Sequence, residues 1–112
     1  MADVILLLAE AENQLGNTAA ATTALNQIRN RVNLSNITAN TQNDLQTAIE
    51  NERRLELAFE GHRWFDLKRS GKAVEIMNAL GKNYNVAAHQ LLLPIPQSEL
   101  DRNPNLTQNI GY

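Results

Sequence analysis

Glu52 and Glu56 stand four residues apart, at the head of the stretch ELAFEGHRWFDLKRSGK, residues 56–72, which gathers acids, bases, a histidine and three aromatics. Two neighbouring carboxylates are the raw material of general acid–base chemistry, above all glycoside hydrolysis, where two carboxyl groups flank one bond. Their spacing argues against it. Residues at i and i+4 of a helix lie on one wall, and a scissile bond needs opposing walls. The same wheel places both acids inside the apolar arc formed by Leu45, Ala48, Ile49, Leu55 and Phe59. A carboxylate buried without a partner costs several kcal/mol. Arg53, Arg54, Arg63 and Arg69 are near in sequence and suited to bidentate pairing. An Arg–Glu network that locks helices together is therefore the expected use of Glu52 and Glu56.

The other reactive types are weak as sites. His62 has no second histidine at ligand spacing, and neither HExxH nor ExxH occurs, so no metal site is expected and the histidine is read as hydrogen-bonded at a helix end. Trp64, Phe59 and Phe65 have faces that suit a pyranose ring, yet a Trp–Phe pair beside a helix break more commonly seals a joint. The cations from Arg63 to Lys72 fall in a last helical turn, where they favour the helix dipole. Gly61, Gly71 and Gly81 are ten residues apart and each ends a helix, so they do not form a phosphate loop, and no serine nucleophile elbow is present. No cofactor is expected.

The elements that position these residues are helical, and no strand pair is found, so the fold class expected is all-α. Ile5, Leu8, Ala9, Glu12 and Leu15 recur at helical spacing and Gly16 follows, giving a first helix over residues 3–15. Asn17 or Thr18 caps a second, with Ala21, Ala24, Leu25, Ile28 and Val32 on one face and Asn33 as its stop. So short a link makes residues 3–32 an antiparallel hairpin. Residues 33–43 are rich in short polar side chains that compete for backbone bonds and read as loop. Thr41 and Asp44 cap a third helix reaching Glu60, closed by Gly61. Residues 63–69 and AVEIMNAL add two more, so that helices fill residues 41–81. From residue 82 to 112 the period is lost. Pro94 and Pro96 hold LLLPIP extended, Ser98 to Asp101 make a turn of helix, and the tail is expected to gain order by packing on something else as an irregular strap.

The chain of 112 residues is the size of one domain with one core. Its composition, 43% hydrophobic and 20% charged with a net charge of −2, excludes wholesale disorder and gives no basic footprint for nucleic acid. It has no cysteine, hence no disulfide or thiolate chemistry. The longest apolar run, residues 4–9, is far below the ~20 residues of a membrane span. The pattern opens into a helix directly after Met1, as an internal piece would, and a fragment is the expectation.

Four blocks, ERRLELAFEGHRWFDL from Glu52, KRSGKA, LLLPIPQSEL and NPNLTQNIGY, occur in an order that resembles the C-terminal region of the SusD/RagB family. AEAENQLGN and ALNQIRNR in the hairpin are similar to the last tetratricopeptide-like helix pair that precedes it. The resemblance implies a starch-binding-protein-like, surface-exposed outer-membrane lipoprotein. Such a protein captures oligosaccharide or another nutrient and passes it to a SusC-type TonB-dependent transporter, without catalysis. It implies that Glu52, Arg53, Glu56, Glu60, Gly61, Arg63, Trp64 and Asp66 are architectural: Gly61 permits a sharp bend, Arg63 folds back on Glu56 and Glu60, and Trp64 and Phe65 close the apolar side. No ligand-contact residue is implied. Two other classes compete: a helical-repeat interaction module, which needs at least about three stacked repeats, and a carboxylate hydrolase. Apolar surface left where further repeats belong leads us to expect self-association.

Overall fold

The structure, a computed structural model, describes residues 1–39 and 41–112. Asn40, in the expected loop, lies outside the described residues. Six α-helices follow one another: α1 (Ala2–Gln14), α2 (Thr18–Arg31), α3 (Gln42–Glu56), α4 (Arg63–Arg69), α5 (Ala73–Ala79) and α6 (Gln97–Arg102). A 3₁₀ turn, Ala88–Leu91, precedes the last, and there is no strand among the described residues. The chain forms two compact units, Met1–Arg63 and Trp64–Tyr112.

In the first unit the helix ends are set by local chemistry. At the end of α1, Gly16 takes φ +84, its N–H bonds to Asn13 O, and Asn17 N–H reaches back to Glu12 O at 2.8 Å. These two bonds satisfy carbonyls that the helix leaves open, the left-handed termination that glycine tolerates best. Asn33 does the same for α2 at φ 57, with Leu34 N–H on Arg29 O at 2.9 Å. Thr41 opens α3: its hydroxyl accepts from Asp44 N–H at 3.0 Å and donates to the Asp44 carboxylate at 2.7 Å.

The core of this unit joins α1, α2 and α3 through Leu6, Ala9, Ala21, Ala24, Leu25, Ile28, Leu45 and Ile49. For α2 the expected apolar positions are largely those used, and for α3 Leu45, Ala48 and Ile49 face the core while Leu55 and Phe59 do not. Val32 is exposed, because it lies at the cap of α2, where the chain has left the helix. On α1 the buried face is Leu6, Ala9 and Asn13, while Leu8 and Leu15 point outward. The run of adjacent apolar residues from Val4 to Ala9 fits more than one phase of the wheel. Asn13 decides between them, because its side chain is needed by α3: Nδ2 donates to Gln42 O at 3.0 Å and to Gln46 Oε1 at 3.2 Å.

The loop after α2 is held by a side-chain amide. Asn26 Oδ1 accepts from Ile37 N–H at 2.8 Å and Asn26 Nδ2 donates to Ile37 O at 3.1 Å, so one amide group replaces the peptide of a neighbouring strand. Asn26→Ala leaves that half-buried backbone pair without partners. At ~1 kcal/mol per hydrogen bond it should cost about 1–2 kcal/mol in urea unfolding; an unchanged midpoint would show that the bracket contributes nothing.

The second unit uses the same device twice, with Asn78 on Val86 at 2.7 and 3.1 Å and Gln108 on Ile95 at 2.8 and 2.9 Å. Asn109 Nδ2 donates to Leu93 O at 2.7 Å, and Tyr112 Oη donates to Leu92 O at 2.8 Å. The Tyr112 ring stands edge-on to His89 at 5.2 Å. Beside Gly111, at φ +102, an added Cβ would lie 2.5 Å from His89 Cγ, so the tail end fits only a glycine there. Residues 92–95 and 108–112 thus order each other, which corrects the expectation that the tail depends wholly on packing elsewhere. Proline removes backbone donors at 94 and 96, and the Gln108, Asn109 and Tyr112 side chains bond peptide groups of Ile95, Leu93 and Leu92.

Candidate functional site

Glu52 and Arg53 are buried on α3, 5% and 4% exposed, and Glu56 is partly so. Glu52 Oε2 accepts from Arg29 Nη1 at 2.6 Å, and Glu56 Oε1 from Arg31 Nη2 at 2.5 Å. Arg53 turns to α1, donating to Asp3 Oδ1 at 2.8 Å and to Asp3 O at 3.3 Å. Successive charges of α3 therefore bind two different helices. Arg29 is fixed further by Nε donating to Ser35 O at 2.8 Å, which ties in the loop after α2.

The neutralising arginines differ from those expected. Glu52 and Glu56 turn to Arg29 and Arg31 of α2, which lie 23 and 25 residues upstream, instead of Arg53, Arg54, Arg63 or Arg69. The two pairs are unequal. The Arg29 and Glu52 side chains are 19% and 6% exposed, whereas those of Arg31 and Glu56 are 59% and 17% exposed. Only the first is buried on both sides; in the second the arginine is largely in water, which screens the pair.

Helix α3 ends at Glu56, one turn before the expected Glu60. Leu57 is its cap, and the chain turns through Phe59 at φ 68 and Gly61 at φ 79 before α4 begins at Arg63. The turn rotates Phe59 off the apolar arc, leaving it fully exposed, and Leu55 also points outward. Of the Trp64–Phe65 pair expected to close the apolar side, Trp64 is half-buried but Phe65 is exposed and does not contribute. Arg63 does not fold back onto the acids. Glu56 is bound by Arg31, and Glu60 is mostly exposed with His62 Nε2 3.8 Å from its Oε2. Asp66 pairs with Arg69 one turn along α4 at 3.2 Å.

A phenylalanine in the left-handed region costs ~1 kcal/mol or more, and here the ring gains no burial in return. Phe59→Gly should therefore raise stability by about 0.5 kcal/mol, glycine's larger unfolded-state entropy offsetting part of the relief. A fall in melting temperature would mean that the ring packs against something.

Glu52 and Glu56 rise from one helix and turn to separate arginines on one neighbour. They do not face each other across a cleft, so the geometry lacks the opposed carboxyls of a hydrolase. Among the described residues no group of three or more His, Cys, Asp or Glu is placed to hold a metal ion, and no helix is long and apolar enough to cross a membrane. Sequence reasoning missed Asp3, Arg29 and Arg31. The available signal was Arg29 and Arg31 in the last turn of α2, beside buried Ile28, but nothing local tells which acids they meet.

A helical hairpin continued by a third helix and fastened by cross-helix ion pairs defines an all-α, tetratricopeptide-like class. The model of the SusD family matches residues 1–112, and the chain belongs to that family. It is 38% identical over 120 residues to SusD-like protein P38 of Formosa agariphila, a match covering 99% of this chain and 23% of that protein. A SusD superfamily protein from Bacteroides vulgatus superposes with a TM-score of 0.90 at 30% identity, over 99% of this chain and 26% of the other. Surface glycan-binding protein A from Bacteroides thetaiotaomicron gives 0.76 at 31% identity, over 97% and 23%. The chain spans about a quarter of the length of these relatives.

Proposed function

We propose that this chain is the C-terminal helical part of a longer surface-exposed outer-membrane lipoprotein that binds glycan or a similar nutrient and hands it to a SusC-type TonB-dependent transporter. The observation that carries the reading is the family match along all 112 residues. Similarity to a surface glycan-binding protein supports the ligand class. Within that protein the stretch from Glu52 to Asp66 is scaffolding: Glu52, Arg53 and Glu56 fasten α3 to its neighbours, and Glu60, Gly61, Arg63, Trp64 and Asp66 shape the turn into α4. The role is binding and transfer, without catalysis. The longer protein should be retarded in native gels cast with its polysaccharide and should co-purify with a TonB-dependent transporter. Unretarded migration across a panel of glycans, with no transporter recovered, would refute the proposal.

The outer face of α1 carries Val4 and Leu8, and Leu15 follows at its cap; they are exposed by 64, 52 and 76%. Apolar residues spaced along one exposed helix face favour association. The isolated chain should accordingly self-associate at high concentration, and a monomer by light scattering would count against it.

A further inference from the structure

Between the end of α1 and the start of α3 lies a cleft of about 230 Å³ lined by Asn13, Gln14, Gln42, Asn43 and Gln46, every one an amide side chain. Their mutual hydrogen bonds leave acceptors over. Gln14 Nε2 and Asn13 Nδ2 both donate to Gln46 Oε1, Gln46 Nε2 donates to Glu50 Oε1, and Gln42 Nε2 donates to Asn13 O. Asn13 Oδ1 is buried and accepts nothing. Rotating that amide by 180° is no remedy, because Nδ2 faces the backbone oxygen of Gln42, which only accepts, and an oxygen there would meet an oxygen. A buried carbonyl oxygen without a donor costs roughly 1–3 kcal/mol, so in this neutral, amide-lined cleft it is an acceptor that an O–H group can satisfy.

We propose that this cleft binds one polyhydroxylated unit, a single pyranose residue or a polyol of that size, whose hydroxyls donate to Asn13 Oδ1 and exchange hydrogen bonds with Gln14, Gln42 and Asn43. A hydroxyl donates and accepts at once, matching amides that offer both functions. No charged side chain lines the cleft, which removes the attraction an ammonium ligand would require. The volume is below the ~300–1,000 Å³ of drug-sized pockets and well above the ~30 Å³ of one water, the scale of a single ring. Asn13 Oδ1 itself is buried, while Gln14, Gln42 and Asn43 of the lining are exposed, so a ligand meets these three amides first and reaches Asn13 Oδ1 only if the cleft opens. The inference stands apart from the transporter proposal, because it concerns this chain alone.

The test is a two-dimensional NMR titration of the ¹⁵N-labelled 112-residue chain with methyl α-glucopyranoside, glycerol and ammonium chloride in separate arms. Expected are saturable shifts of the side-chain amide signals of Asn13, Gln14, Gln42 and Asn43 with the glucoside, half-complete at about 1–10 mM. Asn43→Ala removes an exposed side chain and should weaken binding about fivefold while the remaining spectrum keeps its dispersion. Absent or non-saturable shifts, shifts outside the cleft, a response to ammonium alone, or unchanged affinity in the Asn43 variant would each overturn the proposal. Retention of the longer protein on polysaccharide gels, with no titration here, would leave the nutrient-uptake reading intact and remove this site.

Discussion

Glu52→Gln should lower the unfolding free energy by about 3 kcal/mol, while Glu56→Gln, the same change one turn along α3, should stay within about 1 kcal/mol. Glutamine keeps the volume of Glu52 but removes the charge that faces Arg29 at 2.6 Å, leaving a guanidinium only 19% exposed without its counter-ion. Breaking a buried pair by removing one partner typically costs about 3–5 kcal/mol. The residual exposure of Arg29 and its retained bond to Ser35 O place this case at the lower end. Arg31 is 59% exposed and regains water when Glu56 is neutralised. Against a total stability of roughly 5–15 kcal/mol for a domain, the first change is severe and the second is near the noise. Urea unfolding of the two variants measures the contrast, and equal losses would show that burial does not separate the pairs.

Leu25→Ala should cost about 3–4 kcal/mol. Leu25 is fully buried on α2 within a cluster whose other members include Ala9, Ala21 and Ala24. Alanine contacts bring helix backbones close together, and rigid backbones cannot collapse into the space a leucine vacates, which puts the loss well inside the ~2–5 kcal/mol range for such truncations. Leu8→Ala, on the outward face of α1, is the control and should change stability by less than about 0.5 kcal/mol. Calorimetry on the pair checks the burial assignment. A large loss at Leu8 would mean that α1 presents the other face to the core.

The features legible in the sequence are those whose causes are local. Gly16, Asn33, Thr41 and Gly71 mark helix ends because left-handed terminations and side-chain caps involve residues only a few positions apart. The inward turn of Glu52 was legible for a similar reason, since a carboxylate inside an apolar arc has few outcomes. The phase of α1 was not: Val4, Ile5, Leu6, Leu7, Leu8 and Ala9 are all apolar, and the deciding residue, Asn13, is polar. Phe59 concealed the end of α3, because a phenylalanine gives no warning of a positive φ. The partners of Glu52 and Glu56 depend on how α2 lies against α3, which no spacing within α3 encodes. The order in the tail rests on single amides such as Gln108 and Asn109 meeting backbone thirteen and sixteen residues away, a pattern with no period.

The same geometry explains why the stretch after Glu52 resembles an active site in composition without the arrangement of one. Three of the charges of α3 reach its neighbours: Glu52 and Glu56 pair with α2, and Arg53 with α1. Ion pairs add specificity of register where alanine-rich faces would allow helices to slide.

The most direct test is a double-mutant cycle on Arg29 and Glu52, using Arg29→Met, Glu52→Gln and the combined variant in urea unfolding. Mutual neutralisation predicts a coupling of about 2 kcal/mol or more, with the combined variant more stable than the sum of the single losses implies. A coupling indistinguishable from zero would mean that the two side chains do not hold each other, and that the stretch from Glu52 to Asp66 is something other than scaffold.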